Sequence, residues 1–177
     1  MEKTYQDITR IEAYDGNILN KYNDIVIPNN TNASIYEIGC TFSHIKAIIT
    51  AYNNNDDGAI ILHCINTNEI NIMINMKEDY SPWNRSRWST GAYYISKKGI
   101  DKFYNLFYKN GIIDINNSCF EVADVFIYKN LISYNYTKPL FIHQIKESTI
   151  HQAHIHTCHT PAYKAIKKYF DNIKISK

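Results

Sequence analysis

Apolar residues recur at helical spacing along one stretch of the amino-terminal half, and they predict a long helix within residues 36–52. Gly39 tolerates the backbone angles that a sharp entry into a helix needs. The hydroxyls of Thr41 and Ser43 can accept hydrogen bonds from the free amides of a first helical turn. We therefore expect a turn at Gly39 to feed this helix. The face that it would bury is formed by Phe42, Ile45, Ile48, Ile49 and Tyr52.

Three further helices are predicted from the same spacing and from capping residues. Ser96 is expected to cap a helix that stops at Asn110-Gly111. Residues 121–133 form another, and Thr160-Pro161 is a strong start for the last helix. The stretch 66–77 fits either a short helix or a loop. The residues that the last helix is expected to turn inward are Tyr163, Ile166, Tyr169, Phe170 and Ile173.

Apolar runs of strand length lie between the predicted helices. Residues 8–14 alternate in polarity and end at the Asp15-Gly16 turn. Residues 59–65 form a nearly continuous apolar run, which is typical of an interior strand covered on both faces. Residues 91–95 and 139–144 are also predicted to be strands. Because strands alternate with helices, the pattern indicates an α/β layered domain with a mostly parallel sheet.

Length and composition limit the class of protein. A chain of 177 residues, 45% of them hydrophobic, predicts one globular domain spanning residues 1–177. A net charge of +2 gives no strong basic field, so nucleic acid is not an expected partner. No apolar run is long enough for a membrane span, and residues 1–5 lack the apolar core of a signal peptide. With scattered cysteines expected to be free thiols, these features predict a cytoplasmic protein.

The start of the predicted central helix is a candidate anion site. A helix N-terminus carries free N–H groups and a partial positive charge, which suit a phosphate or a carboxylate. Ser43 and His44 are expected to lie where such an anion would bind. The alternative is that this pair only caps the helix.

Four segments of the chain match a set of motifs, in the same order. Residues 37–47 read Glu-Ile-Gly-Cys and then, two residues later, Ser-His-Ile-Lys-Ala. Residues 9–16 read Thr-Arg-Ile-Glu-Ala-Tyr-Asp-Gly, and residues 89–99 contain Gly-Ala-Tyr-Tyr-Ile-Ser. The last segment runs from Asp124 to a Pro-Leu-Phe triplet at 139–141. Together these segments resemble the motifs of glycosyltransferase family 25, which includes lipooligosaccharide galactosyltransferases and collagen-modifying sugar transferases.

The resemblance implies a fold and an activity. The fold would be the nucleotide-sugar-binding glycosyltransferase A type. The activity would be transfer of a hexose from a nucleotide sugar, such as UDP-galactose or UDP-glucose, to a glycan or a hydroxylated protein acceptor. By the same resemblance Asp124 is the candidate catalytic residue on the acceptor side. The candidate substrate-binding residues are Asp15, Ser43, His44, Gly91 and Tyr93.

Each acidic candidate also has an alternative explanation. Asp124 could be a carboxylate favoured by the dipole at the start of a helix rather than a general base. Asp15 could be an ordinary turn residue. A polar and aromatic connector at residues 78–88 offers a sugar-stacking platform of Tyr80, Trp83 and Trp88, and packing in the core or in a lid is the alternative.

Part of the family's donor site is missing from this sequence. The family holds a divalent cation such as Mn²⁺ with an acidic triplet at a strand end, and the candidate strand here ends Leu62-His63-Cys64 without an acid. The family separates its acidic triplet from the segment that matches residues 89–99 by many more residues than lie between His63 and Gly91 here. This short spacing favours deletion of the acidic segment over its replacement. The adjacent Asp56 and Asp57 are interpreted as turn residues. An opening apolar strand is also missing from residues 1–7. No metal site or cofactor is therefore expected.

Two functions remain open at this level. The first is a family 25-like transferase that is degenerate or weakly active. The second is a non-catalytic module, derived from a transferase, that binds a glycan or a partner. Because a missing edge strand would leave backbone groups open, pairing with a full-length paralogue is a further expectation.

Overall fold

The computed structural model describes residues 11–29, 31–53, 64–116, 121–140, 142 and 153–175. Within these ranges the α-helices are α1 (Ile35–Asn53), α2 (Thr67–Ile74), α3 (Lys97–Phe107), α4 (Ala123–Lys129) and α5 (Thr160–Ile175). The strands are β1 (Ile25–Val26), β2 (Tyr80–Pro82), β3 (Tyr108–Lys109), β4 (Ile112–Asp114) and β5 (Tyr134–Tyr136). A 3₁₀-helix at Gly16–Lys21 precedes β1, and a π-helical turn at Ile155–His159 leads into α5.

The predicted central helix is α1, but it begins before Gly39. Its start is a capping box, in which the Ser34 amide donates to Glu37 Oε2 at 2.7 Å and the Glu37 amide donates to Ser34 Oγ at 3.2 Å. The hydroxyls of Thr41 and Ser43 therefore donate to carbonyls four residues back, at 3.0 and 2.6 Å, instead of capping a first turn. The prediction of a helix entry at Gly39 with caps at 41 and 43 is wrong.

The described strands form two small sheets. In the first, β4 lies between β1 and β3, parallel to β1 and antiparallel to β3. In the second, β2 and β5 pair antiparallel. The described part of the chain is thus a mixed α/β structure, as predicted at that coarse level. The mostly parallel sheet is not what these residues form, because two of the three strand pairs are antiparallel.

Most of the predicted strands are not strands in the residues that the structure describes. Residues 11–14 join no ladder, and the Tyr14 amide donates to Ser43 Oγ at 2.9 Å. Residues 91–95 are not a strand, nor are 64–65 or the described residues of 139–144. Strand β5 ends at Tyr136, before the strand that was predicted at residues 139–144. Residues 8–10, 59–63, 141 and 143–144 lie outside the described residues.

The remaining helix predictions differ mainly at their ends. Asn66 caps α2 with its side chain, which decides between the helix and the loop at 66–77. Ser96 caps α3 as predicted, and Asn110-Gly111 turns the β3–β4 hairpin with φ of 52° and 83°. The helix α4 is shorter than residues 121–133. Thr160 starts α5 but is no cap, because its amide donates to the Ile155 carbonyl of the π-helical turn.

Two hydrophobic clusters hold the described structure together. The larger surrounds α1, whose Phe42, Ile45, Ile48 and Ile49 are buried as predicted, with Tyr52 partly buried. The smaller joins α5 to α2. Of the residues expected to face inward on α5, Ile166 is fully buried while Ile173 is exposed. The buried members of the smaller cluster are Cys64, Ile65, Ile70, Met73, Ala162 and Ile166.

Two glycines let the segment before the 3₁₀-helix lie directly on α1. A Cβ atom at Gly16 would stand 2.7 Å from the Ile35 carbonyl oxygen. A Cβ at Gly39 would stand 3.2 Å from the Tyr14 carbonyl oxygen. Because both neighbours are backbone atoms, neither could move aside easily. This close approach fixes Tyr14 and Asp15 beside the residues of α1 that the sequence marks as a site.

Candidate functional site

Ser43 is the point where the segment before the 3₁₀-helix meets α1. Its hydroxyl donates to the Gly39 carbonyl at 2.6 Å and accepts from the Tyr14 amide at 2.9 Å. The Tyr14 hydroxyl in turn lies 2.6 Å from the Asp24 carboxylate. The Ser43 hydroxyl therefore ties two parts of the backbone together.

His44 lies in the interior of α1, against Tyr93. Its Nδ1 is 3.1 Å from the Tyr93 hydroxyl, and the ring centroids are 5.7 Å apart. His44 comes nine residues after Ile35, so it lies about 13 Å along the axis from the helix start. The expectation that Ser43 and His44 meet an anion at the helix N-terminus is wrong. The reason is that the capping box starts the helix two turns earlier.

Tyr93, which contacts His44, also packs against Tyr128. Both rings are buried and meet edge to face, with centroids 6.2 Å apart. The Tyr128 hydroxyl donates to the Ser89 carbonyl. Burial raises the pKa of both phenols above the ordinary tyrosine value, so both remain neutral donors.

Asp124 stands in the first turn of α4, beside α1. Its carboxylate accepts from the Val125 amide at 2.9 Å. Burial, together with the negative charges of Asp124 and Glu37, raises the pKa of the Cys40 thiol. That coupling places Asp124 near the Gly39-Cys40 segment of α1, in a position typical of a carboxylate at a helix start.

Asp15 and Gly91 have local backbone roles. The Asp15 side chain caps the 3₁₀-helix by accepting from the Asn17 amide at 2.9 Å, as its turn interpretation predicts. The Gly91 amide donates to Ser89 Oγ at 2.9 Å, and Gly91 is exposed. The structure thus brings His44 and Tyr93 into contact and ties Ser43 to Tyr14. No hydrogen bond joins Gly91 to these four residues.

Two aromatic side chains of the connector are packed in the structure, and the third is exposed. Trp83 Nε1 donates to the Arg87 carbonyl at 2.8 Å, and its ring packs on Tyr128. Trp88 packs against the smaller cluster. Tyr80 is 66% exposed. The three rings therefore do not form the single platform that the sequence offers.

A cleft that sequence reasoning missed opens on the other side of Tyr93. It has a volume of about 900 Å³ and lies between α3, α4 and β5. We call it the tyrosine cleft, because six tyrosines line it: Tyr80, Tyr93, Tyr94, Tyr128, Tyr134 and Tyr136. The chain's 15 tyrosines were the only signal in the sequence, and they gave no location.

Metal-ligating side chains do not gather in the ranges that the structure describes. Among those residues no three of His, Cys, Asp and Glu lie close enough together to hold an ion. The adjacent Asp56 and Asp57 lie outside them. The described residues therefore offer no ligand set in place of the acidic triplet.

The partly buried position of His44 predicts a pH-dependent stability. Burial lowers its pKa below the ordinary value of 6.5, so the folded protein holds it neutral. Below pH 6.5 the unfolded chain binds the proton more readily, and the free energy of unfolding should fall as the pH drops toward the folded pKa. Urea unfolding at several pH values should show this slope, and His44→Gln should flatten it. The matched control His156→Gln, at an exposed position, should keep the slope; equal flattening by both would contradict the assignment.

Comparisons with known proteins found no relative of this chain. No family model matches the chain, and no match is found among curated proteins or solved structures. None of the helices in the described ranges is long and apolar enough to cross a membrane. The resemblance to glycosyltransferase family 25 therefore stays a prediction from the four quoted segments.

Proposed function

We propose that this protein is a glycosyltransferase family 25-like domain that binds a nucleotide sugar and transfers its hexose weakly or not at all. One observation carries the proposal: the four segments that resemble the family's motifs come together around α1. Three of them contact the fourth, which lies in α1, although they are far apart in the sequence.

Three contacts make up this convergence. The 9–16 segment touches α1 through the bond between the Tyr14 amide and Ser43 Oγ, 29 positions apart. The 89–99 segment touches it through Tyr93 and His44, 49 positions apart. The last segment packs α4 against α1 near Cys40. The finer fold prediction, a glycosyltransferase A-type sheet, belongs to this proposal, and the parallel pairing of β1 with β4 supports it.

Weak catalysis follows from how these side chains are used. Departure of a nucleoside diphosphate needs its growing negative charge to be neutralised, usually by a divalent cation. The sequence lacks the family's acidic triplet, and the Ser43 hydroxyl is bonded to the backbone on both sides. Asp124 is the remaining candidate for a general base toward an acceptor hydroxyl.

Calorimetric titration with UDP-galactose and UDP-glucose, with and without Mn²⁺, tests the proposal. We expect binding in the micromolar range. Because Asp124 is placed on the acceptor side, Asp124→Asn should leave this binding unchanged and lower only the residual transfer to an acceptor, and the control Asp101→Asn on α3 should change neither. A hydrolysis assay should show little turnover. Absence of binding at millimolar nucleotide sugar would refute the family assignment. Rapid turnover that a chelator abolishes would instead refute the weak catalysis.

The second candidate is a non-catalytic module that binds a glycan without a nucleotide. The observation that favours it is that the side chains of Asp15 and Ser43 make bonds within the protein. Glycan binding that is unaffected by UDP would support the module, and binding that requires UDP would support the transferase.

A further inference from the structure

We propose that the tyrosine cleft binds an anionic saccharide, a sugar that carries a carboxylate or a phosphate. This is independent of the proposed transferase activity, because binding in the cleft needs neither a nucleotide nor a transfer step. It deepens the second candidate function by naming the site and the charge of the glycan.

The size and lining of the cleft fit a small ligand. A volume of about 900 Å³ is at the upper end of the range for small-molecule sites, which are mostly apolar with a few polar groups. Aliphatic side chains of α4 and the segment after it, Ile127, Leu131 and Ile132, form part of the wall. A ligand of two or three sugar rings would fill much of this space.

The charged side chains among the described residues that line the cleft are all basic. Lys98 and Lys102 lie four residues apart on α3, so their side chains are neighbours on one face of the helix. Both are exposed. No aspartate or glutamate is among the described residues that line the cleft. The cleft therefore attracts an anion, and two ammonium groups at this spacing can both reach one carboxylate or phosphate.

The tyrosines supply the part of the site that is specific for a sugar. Tyr80, Tyr94 and Tyr134 are 66%, 60% and 55% exposed, which leaves their rings accessible at the rim. An aromatic ring offers an apolar face to the C–H side of a sugar, and its hydroxyl offers a hydrogen bond to the sugar's own hydroxyls. Ser96 and Ser133 add two more hydroxyls to the lining.

Titration with matched charged and neutral sugars tests the proposal. The probes are trigalacturonate and its methyl triester for a carboxylate, and galactose 6-phosphate and galactose for a phosphate. We expect a charged probe to bind at least roughly tenfold more tightly than its neutral match. Binding should weaken as salt is raised, because exposed charges are screened. Amide resonances of α3 and of residues 131–136 should shift in the NMR spectrum.

Two double variants separate a site from a general charge effect. Lys98→Ala/Lys102→Ala should weaken binding of the charged probe roughly tenfold or more. The control Lys164→Ala/Lys168→Ala removes the same charge at the same spacing from exposed positions of α5 and should change binding less than about twofold. Tyr94→Ala should also weaken binding, and Tyr94→Phe should weaken it less, because the ring is kept. Thermal unfolding of each variant checks that it folds.

Four outcomes would overturn the proposal. They are equal binding of charged and neutral probes, an equal loss in both double variants, resonance shifts confined to residues outside the cleft, and no binding of any probe at millimolar concentration. If an acidic peptide binds the cleft and no sugar does, the site is a peptide groove and the proposal is wrong. Binding of the carboxylate probe alone, or of the phosphate probe alone, supports it and identifies the anion.

Discussion

Replacing Phe42 with alanine is expected to lower the free energy of unfolding by about 3–5 kcal/mol, the usual cost of truncating a fully buried phenylalanine. The Phe42 side chain has no exposed surface and stands in the middle of α1, with Tyr14 packed edge to face against its ring. Its removal would leave a cavity between α1 and the segment that carries Asp15. Urea unfolding followed by circular dichroism measures the loss.

A milder variant and a matched control keep this prediction measurable. A domain of this size has a total stability of about 5–15 kcal/mol, so the alanine variant could unfold outright. Phe42→Leu refills most of the space and should cost less, about 1–2 kcal/mol. The control Leu106→Ala removes a similar apolar side chain from a 47% exposed position of α3 and should cost less than about 1 kcal/mol. A loss at Leu106 as large as that at Phe42 would show that the core is not centred on α1.

Replacing Arg87 with alanine is expected to destabilise the protein by about 3–5 kcal/mol, because it leaves a mostly buried carboxylate without its partner. Arg87 Nε lies 2.8 Å from Glu69 Oε2 on α2, and Nη1 donates to Ser81 Oγ on β2 at 2.6 Å. The side chains of the pair are only 9% and 16% exposed. The guanidinium therefore holds α2 to the β2–β5 sheet.

Three variants test the role of Arg87. Arg87→Lys keeps the charge but loses the fork that reaches both Glu69 and Ser81, so most of the loss should remain. Arg87→Met/Glu69→Leu removes both charges and should recover much of it. The control is Lys167→Ala, which breaks an exposed pair with Asp171 at 2.7 Å and should leave stability nearly unchanged. If the double variant is no more stable than Arg87→Ala, desolvation of Glu69 is not the cause.

The helices could be predicted from the sequence because their signals are local. Apolar spacing located α1, and the capping side chain of Ser96 located α3. The stretch 66–77 stayed open between a helix and a loop, because Asn66 was not recognised as the cap of α2. The start of α1 was misplaced although its signal was present, since Ser34 and Glu37 have the spacing of a capping box. Gly39 suggested an entry, yet its missing side chain serves the close approach of Tyr14 and not a turn.

The strands and the cleft could not be found in this way. The described strands are only two or three residues long, too short for an alternating pattern to show. They form where tertiary packing brings the backbones together, as Ile25 meets Ile113 across 88 positions. The candidate site was partly predictable, since resemblance marked both His44 and Tyr93. Their contact and the tyrosine cleft behind it depend on packing between distant segments, which no local pattern carries.

The dependence of α1 on later segments has a consequence for synthesis on the ribosome. The helices that cover α1 are α3 and α4, and α4 ends at Lys129. In a nascent chain that has not yet exposed Lys129, the apolar face around Phe42 and Ile45 is covered only in part, by Tyr14 and the 3₁₀-helix. Over that interval the emerging chain is a substrate for chaperones that bind apolar segments, and α1 completes its burial only after most of the protein has been made.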